Sequence, residues 1–127
     1  MHQKGDLERY LKNSLAPSLE IKTPNAQDTL FGEELEIRKY NTPKDARWAT
    51  LGVDYDGGNL SFAEATFYPA QFDSAQKGSQ EYAAMAVVER VLTPYDAGLG
   101  DDLYIFASGE DMEFLKKAVE CINAFLK

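Results

Sequence analysis

Apolar and polar residues alternate along this chain with two different periods. Leu7, Tyr10, Leu11 and Leu15 recur at i, i+3, i+4 and i+8, which lines one stripe of a helix. Asp6 stands where a cap or first-turn acid helps, and Pro17 ends the run. The period then falls to two. Leu19 and Ile21 alternate with Glu20 and Lys22 until Thr23-Pro24-Asn25 breaks the segment. Leu35 and Ile37 alternate with Glu34, Glu36 and Arg38, so one face is apolar and the other wet, as in antiparallel sheets. A turn is predicted at Asn41-Thr42-Pro43-Lys44-Asp45, and Ala49, Leu51, Val53 and Tyr55 alternate after it. Asp56-Gly57-Gly58-Asn59 predicts a hairpin turn, because glycine reaches positive φ without a Cβ clash. Leu60 to Tyr68 returns as the next strand, and Pro69 stops it.

A helical period resumes from about Ser79 to Leu92, with Ala84, Met85, Val88, Val91 and Leu92 as its stripe and Pro94 barring continuation. Tyr95 to Asp102 predicts a flexible acidic loop, and Leu103 to Ala107 a short, well-covered strand. Ser108 and Asp111 have capping-box spacing, with Ser108 as the cap of a last helix. Its stripe is Leu115, Ala118, Val119, Ile122 and Leu126, with acids at its start and lysines at its middle and end, which suits the macrodipole. The order α-β-β-β-β-α-β-α predicts an α+β fold: an antiparallel four- to five-stranded sheet with helices packed mainly on one face. At 127 residues the chain fits a single domain over 1–127, and size scaling buries about two-thirds of the unfolded surface.

Charge divides this otherwise ordinary composition. Residues 48–115 carry twelve carboxylates against two bases, Lys77 and Arg90, for a formal charge of −10. Residues 1–47 balance, and the whole chain carries −8. Such a field favours a basic protein partner and repels nucleic acid. No apolar run reaches the length of a membrane span, so no membrane partner is expected. The charged start MHQKGDLERYLKNSL leaves no room for a signal-peptide apolar stretch, and a lone Cys121 forms no internal disulfide; both predict a cytoplasmic protein.

The catalytic inventory is thin, which argues against an enzyme. The one histidine, His2, lies near a terminus, and no base stands at helical spacing to activate Cys121, so Cys121 reads as a small hydrophobe. Asp54-Tyr55-Asp56-Gly57-Gly58-Asn59 fails as a calcium loop: Gly58 and Asn59 hold the wrong positions, and Ala65 stands where the bidentate glutamate belongs. No cofactor or metal is therefore expected. Asp101, Asp102, Glu110 and Asp111 read as a solvated acidic surface. Glu64 shares the parity of Leu60 and Phe62, while Ala63, Ala65 and Phe67 make the opposite face equally apolar; such a strand is central or contains a bulge. If the face of Glu64 were the core, its carboxyl would be buried with a raised pKa, the signature of a base in a small carboxylate-dependent enzyme. Aromatic residues are plentiful at strand ends and loops, among them Tyr40, Trp48, Tyr68 and Tyr95. Trp48 is out of phase with Ala49, Leu51 and Val53, so it either anchors a partner or covers the open side of the sheet.

Taken together, these features predict a small acidic module that binds and neutralises a basic partner, most simply an immunity or antitoxin-type inhibitor of a toxin. Its binding residues would be Trp48, Asp54, Asp56, Tyr95, Asp101, Asp102, Glu110, Asp111 and Glu113. A secretion-type chaperone for an effector protein, acting as a dimer, is the alternative from the same composition. The segment from Trp48 to Pro69, containing WATLGVDY and EATFYP, resembles suppressor-of-fused-like domains, some of which are bacterial immunity proteins.

Overall fold

The computed structural model describes residues 5–22, 32–40, 48–68, 80–95, 97–99 and 105–126. Along the chain come α1 (Asp6–Ser14), β1 (Leu19–Lys22), β2 (Glu33–Lys39), β3 (Trp48–Asp56), β4 (Asn59–Tyr68), α2 (Gln80–Leu92), β5 (Ala97–Leu99), β6 (Ile105–Gly109) and α3 (Met112–Phe125). The strands form one antiparallel sheet in the order β1-β2-β3-β4-β6-β5. This is the expected α+β fold with one strand more than the four to five expected. The addition is β5, inside the segment that reads as a loop. Three residues are too few for a period of two to register. Backbone pairing makes it a strand, with Ala97 opposite Ala107 and Leu99 opposite Ile105.

The period of two decides which side chains meet the helices. Leu35 and Ile37, Ala49, Leu51 and Val53, Ala63, Ala65 and Phe67, and Ile105 and Ala107 are all buried. They share one core with Leu7 and Leu11 of α1, Met85, Val88 and Leu92 of α2, and seven side chains of α3. All three helices therefore lie on one side. Phe67 and Phe125 meet edge-on, with ring centroids 5.6 Å apart, and each such buried aromatic contributes about 1.5–3 kcal/mol by area alone. Val91, expected in the stripe of α2, is instead 39% exposed. Met85, Val88 and Leu92 already fill the inward arc of that helix, and Val91 lies outside it.

β4 is both central and bulged, which explains its two apolar faces. Asp54 pairs with Phe62 but Tyr55 pairs with Leu60, so the register slips at Ser61. The slip returns Leu60 to the core side, against which it packs. Beyond it, Gly57 (φ 59) and Gly58 (φ 84) supply the two positive φ values of a tight hairpin turn.

The start of α3 corrects the capping expectation. Ser108 belongs to β6, where it pairs with Glu64. The cap is Asp111, whose Oδ1 accepts the Phe114 backbone N–H at 3.1 Å. Strand pairing continues to Gly109, opposite Ala63, and delays the helix by three residues. Gly109 is needed at this joint, since a Cβ there would lie 2.5 Å from Phe114 Cβ. The last turn of α3 carries no base, contrary to expectation; Lys116 and Lys117 sit nearer its start. His2, Asp101, Asp102 and the turns at 23–25 and 41–45 lie outside the described residues.

Candidate functional site

One end of the sheet gathers five of the seven acids expected to bind a partner. β3 runs into the hairpin at Asp54 and Asp56, and the pairing of Ala63 with Gly109 brings the exit of β6 to the same end. Glu110 and Asp111 follow at once. They lie two strands from Asp54, roughly 10 Å at about 4.8 Å per strand. Asp56, Glu110, Asp111 and Glu113 are exposed, and Asp54 is half-buried. Tyr95 belongs here too, because β5 starts beside Ala107. Its ring stands edge-on to Phe114 at 5.5 Å between centroids, and its N–H donates to the Leu92 carbonyl at 2.8 Å.

Three of these acids also hold the fold. Asp54 Oδ1 accepts the Gly32 N–H at 2.8 Å, which pins the entry to β2. Asp111 caps α3. Glu113 lies in the first turn of α3, 3.9 Å from Lys116, in an exposed pair of the kind worth about 0.2–1 kcal/mol. Among the described residues, no interaction of the Asp56 or Glu110 side chain ties up its charge in this way. The arrangement can present several negative charges on a rigid hairpin and a helix start.

Trp48 is not part of that group. It opens β3, at the other end from Asp56, roughly 26 Å away at about 3.3 Å per residue. It stacks on Tyr68, with centroids 3.9 Å apart and planes at 14°, and the Arg38 guanidinium lies 5.2 Å from its ring centroid. Arg38 also pairs with Glu36. Trp48 thus covers the polar side of the sheet, one of the two roles expected of it.

The same side carries Glu64. It sits across Gly52 from Glu34, the three in register on β4, β3 and β2. Burial raises the Glu64 carboxyl above the usual glutamate range, and the Glu34 charge adds to this. The helix-covered core is on the opposite face, so Glu64 is half-buried among strand neighbours rather than enclosed. Among the described residues no three His, Cys, Asp or Glu side chains gather to hold a metal ion. Likewise no helix among them is long and apolar enough to cross a membrane.

The most connected carboxylate went unassigned in the sequence. Glu33 is 6% exposed and accepts three hydrogen bonds: from Leu7 N–H at 3.1 Å, Glu8 N–H at 3.3 Å and Tyr55 O–H at 2.9 Å. Parity with Leu35 and Ile37 was the available signal, since it puts Glu33 on the apolar face. Burial pushes the Tyr55 phenol above its usual range, and the Glu33 carboxylate pushes it further. Cys121 is buried on α3, and its thiol is pushed up to about 11 by that burial and then by Glu120, which makes it a poor nucleophile.

Comparison with protein-family models, curated proteins and solved structures found no match to this chain. The likeness of the Trp48–Pro69 segment to suppressor-of-fused-like domains has no counterpart in these comparisons.

Proposed function

We propose that the chain is a protein-binding module whose acidic sheet end docks a basic partner and neutralises it, as an immunity or antitoxin-type inhibitor does. The observation that carries this is the convergence of Asp54, Asp56, Glu110, Asp111 and Glu113 on one end of the sheet. Carboxylates held on a hairpin and a helix start need little reordering on binding, so less of their interaction is lost to entropy. Their shared field steers a cationic protein toward them before contact. In a toxin that acts on nucleic acid, the cleft that binds phosphate is cationic, and these carboxylates would occupy it. Tyr95, beside them, supplies an amphipathic ring of the kind enriched at binding hot spots. Trp48, at the other end of β3, lies outside this acidic group.

The test is capture by immobilised chain from lysate of the source cells, with three baits. One is the natural chain. The second neutralises the acidic end through Asp54→Asn, Asp56→Asn and Glu110→Gln. The third makes the same change in net charge elsewhere, through Glu8→Gln, Glu20→Gln and Glu120→Gln. A basic protein held by the first and third baits and lost by the second is the expected result. Equal retention on all three, or retention of no basic protein, overturns the proposal.

A further inference from the structure

We infer that α1 is a strap that opens as a unit, separately from the rest of the fold, because both its ends are fastened by side chains borrowed from distant elements. Opening would not depend on what the acidic end binds. At nine residues α1 is shorter than the roughly 12–15 that an isolated helix needs in water. Its cap position is Gly5, in the left-handed region at φ 99, which offers no side chain to the first-turn amides. Glu33 of β2 supplies what Gly5 lacks: its two carboxylate oxygens take the Leu7 and Glu8 N–H groups, and Tyr55 of β3 holds it in place. At the other end Asn123 of α3 works in both directions. Its Nδ2 donates to the Ser14 carbonyl at 3.1 Å, and its Oδ1 accepts the Ala16 N–H at 2.9 Å.

Between the clasps α1 buries less than α3 does. Leu7 and Leu11 are its buried residues, with Tyr10 partly buried against the core, whereas α3 buries seven of its fourteen. The ion pairs of Arg9 with Asp6 and of Lys12 with Glu8 lie within α1. An open cavity of about 290 Å³ lies beside it, lined in part by Leu11, Leu15, Leu19, Ile21 and Tyr40. The pivot is fixed just past the helix, where Leu19 N–H donates to Ala16 O at 3.0 Å and Tyr40 N–H to Ser18 O at 2.9 Å. Swinging about this point bares Leu7, Leu11 and the apolar wall of the cavity while the sheet stays paired. Local opening of this kind is a recognised mode below global unfolding.

Hydrogen–deuterium exchange of the full chain, read amide by amide, tests this. In the natural chain the amides from Arg9 to Leu15 should exchange together and faster than those of Leu51 and Ala65. Glu33→Gln replaces one acceptor with a donor facing the Glu8 N–H. It should speed the whole set, including the far Leu15, on the order of ten- to a hundredfold. Asn123→Ala should do the same from the other end, including the near Arg9. In both variants Leu51 and Ala65, which open only with the whole fold, should accelerate by no more than the α1 set and remain slower than it. Changes confined to the end that was altered would overturn the strap, as would α1 amides that exchange at the rates of Leu51 and Ala65. If Glu33→Gln does not fold, Tyr55→Phe loosens the same clasp and is read against Asn123→Ala by the same criteria.

Discussion

Ile105 and Phe106 are adjacent on β6, yet one is fully buried and the other is 41% exposed. The difference between them is the difference between the two faces of the sheet. The side of Ile105 meets three helices, and its stability comes from removing apolar surface from water. The side of Phe106 carries Trp48, Thr50, Glu64 and Tyr68, where stacking, hydroxyls and carboxylates replace bulk burial. The acidic end then collects charge where the strands turn back. The apolar core and the acidic end thus occupy different parts of one scaffold. Within the acidic end, Asp54 and Asp111 also bond backbone amides and so contribute to folding.

The largest effect should come from testing the two faces against each other. Phe67→Ala, which empties the edge-on contact with Phe125, should cost about 3–5 kcal/mol, read from denaturant midpoints. Phe106→Ser on the neighbouring strand should cost under about 1 kcal/mol, as surface changes do. Similar losses at the two positions would mean that both faces bear the fold. A smaller contrast separates two consecutive acids. Asp111→Ala removes a helix cap and should cost about 1 kcal/mol, whereas Glu110→Gln should leave stability within about 0.5 kcal/mol. Equal losses would assign Glu110 a structural bond.

The smallest effect is one of pH. With the Glu64 carboxyl raised, the charged form is the costly one in the folded state, so Glu64 lowers stability as pH climbs from the usual glutamate value through the raised one. Glu64→Gln should therefore be at least as stable as the natural chain near neutral pH. That advantage should fade in acid below the usual glutamate range. A variant that is less stable near neutrality would place a favourable partner on the Glu64 carboxylate.

Much of this was legible before folding, where periodicity alone decided it. Ala49, Leu51 and Val53 named the core side of β3, and Trp48, out of phase with them, named the other. The twin glycines named the hairpin. What escaped depended on pairing or on distance along the chain. Ser108 fits a capping pattern locally, but the ladder to β4 claims it for a strand. β5 is recognisable only by its partner. Glu33 acts on amides about 25 residues earlier in the chain, and Asn123 on a carbonyl 109 residues away. Trp48 joins Asp54 in the expected binding set as an aromatic anchor, but an extended strand turns their six-residue separation into roughly 20 Å. Asp101 and Asp102, named with the same group, lie outside the described residues.

The claim that the acidic end recruits a basic partner is tested most directly by its association rate. The rate should be followed over a range of ionic strength for the natural chain and for the Asp54→Asn, Asp56→Asn, Glu110→Gln variant with the captured protein. The natural chain should associate roughly tenfold or more faster at low salt than at high salt, and the variant should show a much flatter dependence. Superimposable curves for the two chains would contradict the account.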